Sequence, residues 1–445
     1  MFDYIKKLKS LGVKLPTILI PRETDNLKNW AVVACDQYTS DMEYWQSVEK
    51  IVQGKPSTLN LIYPECYLEE ADSEQRISNI NKTMQKYIDE GIFKEYEQTM
   101  FLVYRETRPG FGRWGLIVAL DLDQYDYSVG SKSLIRATEG TIIDRIPPRK
   151  RIRKNAPLEF PHILVLIEDE KRSIIEPLAD KKDTLEQIYS FDLMKDSGSI
   201  EAYAVNRPED VQQVADALER LADIKDFSRR HNSDDLLLYA MGDGNHSLAT
   251  AKSCWEDIKK GLSPDDQKEN PARYALVEIE NIYDKGLVFE PIHRVIFNGN
   301  KDAILKELLN NCDSYRLSEV DTLENMVEQI NIQDDNQYFG LVDDQKQLYV
   351  VCIKNPSAHI VAGTLQSTLD AYIHNTNTVS IDYTHGTLVT YNLGIISGNV
   401  GIFLPRIPKN DFFSSIIHDG TLPRKTFSMG EDYEKRFYIE GRRIK

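Results

Sequence analysis

Residues 236–252 read LLLYAMGDGNHSLATAK. An apolar, strand-forming run enters Gly-Asp-Gly-Asn-His, and a helical run leaves it. The length and β-character of 235–241 predict a buried strand, and SLATAKSCWEDIKK at 247–260 predicts a helix. A helix that opens straight after a strand leaves backbone N–H groups unpaired at its start. Those donors and the helix dipole favour an anion there. Gly242 and Gly244 permit positive φ and close approach of a ligand. Asp243 offers oxygen to a hard cation such as Mg2+. His246 offers a donor to a phosphate oxygen, and Asn245 and Ser247 belong to the same cradle. The same residues also read as an ordinary helix start, with Asp or Asn capping the first turn. A cap needs one polar side chain, and three stand here.

Around this junction the pattern is mixed. Ile77, Ile80, Met84, Tyr87 and Ile88 recur at helical spacing between Ser73 and Gly91. TMFLVYRE at 99–106 and GLIVALDL at 115–122 read as a hairpin. HILVLIE at 162–168 and RYALVEIE at 273–280 read as strands, and EDVQQVADALERLADI at 209–224 as an amphipathic helix. Beyond residue 300, two helices (KDAILKELLNNC and VDTLENMVEQI) and a hairpin (QYFGLVDDQKQLYVVCI) follow. The expected class is α+β, with mixed sheets and flanking helices. A chain of 445 residues exceeds the roughly 250–300 that one core holds. Three segments are expected: 1–165, 166–300 and 301–445, with surface joints near 171–185 and 262–271.

The formal net charge of −16 argues against a general nucleic-acid binder, which needs clustered Lys and Arg. The five cysteines (35, 66, 254, 312 and 352) are scattered and form no CxxC pair. That reads as free thiols in a reducing compartment. The first residues lack the apolar core of a signal peptide, and no stretch approaches the roughly 20 apolar residues of a membrane helix. A cytoplasmic protein is expected, with no membrane partner and a homodimer possible.

Three further segments carry candidate chemistry. LIRATEGTIIDRIPPRKRIRKNAP at 134–157 is the densest basic stretch; its run from Lys150 to Lys154 reads as a solvated face. Arg136 and Glu139 stand apart from that run, suited respectively to phosphate binding and to general-base work. GLVFEPIHRVIF at 286–297 places His293 and Arg294 between apolar stretches beside Pro291. At 419–439, Pro423, Arg424, Lys425, Thr426 and Ser428 form a polar, basic turn that could close over an anion. Asp382, Tyr383 and His385 in SIDYTHGT are a weaker candidate. GD and GNH also occur in metallophosphoesterases, but separated and preceded by DxH, which is missing upstream here.

IRATEGT, GDGNHSLATA, GLVFEPIHR and LPRKTFSM, in this order, resemble the domain of unknown function 1015 family, from about Asp36 to the C-terminus. That family is similar in turn to the ParB/sulfiredoxin fold and to free-serine kinases, which implies a ParB/sulfiredoxin-like core with additional lobes. On this resemblance the 242–247 turn would bind the phosphates of ATP or ADP, with Asp243 on Mg2+ and His246 on phosphate. Glu139 would accept the proton of a serine-like hydroxyl. Gly242, Gly244, Asn245 and Ser247 would line the phosphate, and His293 would join them. Two departures stand out. Ser247 occupies the position of a motif Arg, and Asn245 that of a motif His. Arg136, Arg294 or Lys425 would then supply the missing charge. The expected function is a small-molecule phosphotransferase. The alternative is a non-catalytic nucleotide or amino-acid sensor acting in serine metabolism. A nucleic-acid binder by analogy with ParB is disfavoured by the charge.

Overall fold

Alternation decides where the first core forms. Phe101 and Val103 face one side of a sheet and Leu102 the other; on the partner strand Ile117 opposes Leu116 and Val118. Both sides are apolar, so the sheet is covered on both faces. The computed structural model describes residues 3–68, 72–376 and 378–445. These residues divide into two units, Met1–Leu287 with Gly430–Lys445, and Val288–Met429. The class is α+β with mixed sheets, as expected.

The first unit is built on a ten-stranded sheet. Met100–Arg108 and Phe111–Asp121 form the predicted antiparallel hairpin. Tyr274–Asn281 pairs antiparallel with Phe111–Asp121 and parallel with Leu164–Ile167. Leu164–Ile167 pairs antiparallel with Tyr239–Asp243, which pairs parallel with Ile135–Arg136. The strand preceding the opening motif thus starts later than its apolar run suggests and continues through Asp243. The helix behind it spans Asn245–Lys259, so Asn245 and His246 belong to its first turn.

The second unit carries a seven-stranded sheet whose pairings are antiparallel. Phe289–Phe297 lies between Asn399–Phe403 and Ser380–His385. Gln337–Asp343 and Leu348–Pro356 form the predicted hairpin, and Cys312–Val320 adds a strand the sequence pattern does not announce. Its side chains are mostly exposed or half-buried, so it lacks an apolar alternation to read.

The three-segment division does not hold. A boundary at 165 would cut Leu164–Ile167, and one at 300 would split the second unit. The stretches 171–185 and 262–271 lie inside the first unit, which is joined to the second at Leu287–Val288 and Met429–Gly430. Strand pairing ties together residues too distant in sequence for a composition shift to mark the joint.

The C-terminal residues return to complete the first unit through buried charge. Arg436 Nε donates to Glu278 at 2.7 Å and its terminal nitrogens to Glu440 at 2.8 Å and the Pro161 carbonyl at 2.5 Å. Arg442 Nε donates to Glu159 at 2.9 Å. Room for Glu278 exists because position 115 is glycine: a Cβ there would sit 2.2 Å from Glu278 Oε1. Phe437, Tyr438 and Ile439 add apolar burial to the same core. Removing one partner from such a buried pair costs about 3–5 kcal/mol, because the other charge stays behind. Arg436→Ala is therefore expected to lose about that much in denaturant unfolding; a loss near zero would show that the tail is not held by this pair.

Candidate functional site

The opening motif folds into a bulge followed by a tight turn. Leu164 pairs with Asp243 and Val165 with Met241, so Gly242 is the extra residue of a β-bulge. Bulges re-aim the side chains that follow them. Gly244 has φ +78°, and a Cβ on it would meet Ile163 Cα at 3.2 Å and His162 Cδ2 at 3.6 Å. Only glycine meets both demands without strain. Gly244 occupies the N-cap position, and no side chain caps the helix. The capping role expected for Asp or Asn is thus unfilled. Asp243 Oδ1 instead accepts from the Gly244 N–H at 2.7 Å. Leu248 N bonds Gly244 O, and by helix geometry the N–H groups of Asn245, His246 and Ser247 precede the first such bond. Asn245 Oδ1 is buried with no hydrogen-bond partner.

Four side chains that the sequence reading does not nominate surround this turn. Lys435 Nζ lies 3.2 Å from Asp243 Oδ2. His162 packs beneath Gly244; its Nδ1 is 2.8 Å from the Tyr438 hydroxyl and its Nε2 3.6 Å from Asp36 Oδ2. The Cys35 N–H donates to the same hydroxyl at 3.1 Å. Burial pushes the His162 pKa down, but Asp36, with Asp243 and Glu65, outweighs it and holds the imidazole above its ordinary value. Burial likewise pushes the Asp36 carboxyl up, and His162 with Gln37 and Lys435 more than offsets it, leaving it below the carboxylate range. Nearby, Arg149 pairs with Glu65.

His246 joins two of the sequence motifs. Its Nε2 accepts from the Ile142 N–H at 3.3 Å, which brings the 135–142 loop to the turn. Burial, with Arg149 and Arg145, pushes its pKa down to about 4. It is therefore neutral at pH 7, with the proton on Nδ1, the nitrogen left to donate. Glu139 is half-buried on this loop, three residues before Ile142.

The arginines nominated to replace the motif Arg are committed elsewhere. Arg136 donates from Nε to the Ser133 carbonyl at 2.8 Å and from a terminal nitrogen to the carbonyls of Asp235 and Leu236 at 2.8 and 3.2 Å. It fixes the loop leading into the strand, which corrects its assignment to phosphate. Arg294 is 0% exposed in the second unit, donating to the Ile292 carbonyl and to Gln366 at 3.4 Å, beside the Tyr383 ring. His293, also buried there, accepts from the Leu404 N–H at 3.1 Å. Both pack inside a sheet and are corrected to structural residues. Lys425 is exposed in the second unit with φ +57°, and Arg424 donates to the Tyr383 hydroxyl at 3.1 Å.

The basic run forms the helix Ile146–Lys154. Three of its cations pair with carboxylates beyond the helix, in addition to Arg149: Lys150 with Asp257 at 2.6 Å, Arg151 with Glu74 at 3.1 Å, and Arg153 with Glu159. Asp243, expected on Mg2+, has protein partners in this structure. Its carboxylate already serves Lys435 and Gly244, and among the described residues no three His, Cys, Asp or Glu side chains form a metal-sized group. The five cysteines are free, as expected. Among the described residues no helix is long and apolar enough to cross a membrane.

The chain belongs to the family described as protein of unknown function (DUF1015), whose model matches residues 19–372. A search of curated proteins finds no match. Among solved structures it is similar to a free serine kinase in complex with AMP, at 10% identity over 74% of this chain and 92% of that one, TM-score 0.36. A mutant free serine kinase in complex with ADP gives 10% identity, 76% and 95% coverage and TM-score 0.38. A conserved hypothetical protein from Pyrococcus furiosus gives 11% identity, 73% and 90% coverage and TM-score 0.32.

Burial, with Arg294 and His385, holds His293 at about 4 against its ordinary 6.5. A histidine with a depressed folded pKa loses stability as pH falls from the unfolded value through the folded one. Between pH 6.5 and 4, His293 is thus expected to cost on the order of 3 kcal/mol. Urea unfolding at both pH values should show a smaller acid loss in His293→Gln than in the wild type; an equal loss would refute the assignment.

Proposed function

We propose that the 242–247 turn binds the phosphates of ATP or ADP and that the protein transfers a phosphoryl group to a small hydroxylated acceptor such as free serine. The observation that carries this reading is the uncapped helix start at Gly244, with open N–H groups beside Lys435 and His162. Backbone donors fixed before the ligand arrives stabilise charge on phosphoryl oxygens at little reorganisation cost. Neutral His246 donates from Nδ1. The buried Asn245 carbonyl oxygen accepts a hydroxyl or amino hydrogen from the nucleotide or the acceptor. Glu139 receives the acceptor's proton as its oxygen bonds to the terminal phosphorus and the bond to the departing nucleotide phosphate breaks.

A second reading, a sensor that binds without turnover, is favoured by one observation. Ser247 leaves the motif Arg unfilled, and Arg136 and Arg294 are spent on protein carbonyls and Gln366. Calorimetric titration with ADP beside an assay for phosphoserine separates the two. The kinase reading expects both binding and product, and a fall of 10²–10⁴-fold in turnover for Glu139→Gln with ADP affinity kept, the usual range for a general base. Binding without product would establish the sensor, and full activity in Glu139→Gln would remove Glu139 as base.

A further inference from the structure

Resting on the phosphate-binding reading above, we infer that His162 and Lys435, rather than the motif arginines, supply the positive charge of this site, and that a diphosphate binds the form in which His162 is protonated. The imidazole lies in van der Waals reach of the turn backbone, 3.6 Å from where a Gly244 Cβ would stand. Both ring nitrogens face oxygen. Nδ1 meets the Tyr438 hydroxyl, which also accepts from the Cys35 N–H, and Nε2 faces Asp36. An imidazolium, which donates from both nitrogens, fits this setting.

The surrounding charges explain why the proton matters. Three carboxylates influence His162: Asp36 after the strand Val32–Val33, Glu65 at the start of a 3-10 turn, and Asp243 at the strand end. Glu65 is matched by Arg149 and Asp243 by Lys435. Asp36 is matched by His162. When His162 loses its proton, Asp36 loses its facing positive charge, and the added net negative charge beside the turn repels a diphosphate. Burial pushes the Glu65 carboxyl above its ordinary value, with Arg149 opposing it. His246 titrates at about 4, and burial pushes the Cys35 thiol and the Tyr438 phenol up. A unit charge within several ångströms of the ligand corresponds to about tenfold or more in affinity at protein-like screening.

The test is calorimetric titration with ADP from pH 6 to 9 at constant ionic strength, on the wild type, His162→Gln and Asp36→Asn. The ratio of wild-type to His162→Gln affinity cancels the nucleotide's own titration. It should be about tenfold at pH 6 and approach one at pH 9. Asp36→Asn should move the wild-type midpoint to lower pH, a shift that a merely structural role would not cause. That shift decides the matter if His162→Gln does not fold. A constant ratio, or an unmoved midpoint in Asp36→Asn, overturns the inference while leaving the phosphate turn intact. Absence of ADP binding by the wild type at pH 6 overturns both.

Discussion

The pairing of Arg436 with Glu278 and Glu440 is the constraint on which the first unit depends. All three side chains are almost wholly buried, where an uncompensated charge is very costly. The chain leaves this unit at Leu287 and returns at Gly430. The guanidinium anchors that return to the sheet strand Tyr274–Asn281. The same short tail carries Lys435 and Tyr438, one against Asp243 and the other against His162. The segment that closes the core therefore also places Lys435 and Tyr438 at the turn.

The turn itself is a balance of opposites. Asp243 and Asp36 bring negative charge to a place whose helix dipole and N–H groups favour an anion. Asp243 is held by the Lys435 ammonium and Asp36 by the His162 imidazole, both from elsewhere in the fold. The local field therefore depends on pairs, not on a surplus of arginine.

Much of this was legible in the sequence. The strand–turn–helix at 235–260, the hairpin at 99–122 and the second hairpin after residue 335 announce themselves through apolar runs and glycines. The α+β class follows from them. The meeting of His246 with the 135–142 loop is a tertiary contact that motif order does not announce. The losses have physical causes. Arg136, Arg294 and His293 look chemical because they are polar, yet burial turned each inward, onto backbone atoms or, for Arg294, also Gln366. His162, after Pro161 at the head of an apolar strand, gives a weak signal of its own. Asp36 follows an apolar run without a spacing that ties it to His162. Lys435 lies within the 419–439 segment, but Lys425 stands in the more basic turn. Only tertiary pairing joins positions 36, 162, 243 and 435.

On the proposed reading, the open N–H groups of the helix beginning at Asn245 hold phosphate. Residue-resolved amide hydrogen exchange across 242–250, with and without saturating ADP, tests it most directly. Exchange is expected to slow at Asn245, His246 and Ser247, with little change at Leu248, whose N–H is already bonded to the Gly244 carbonyl. Unchanged exchange at those three amides while ADP is bound would contradict it.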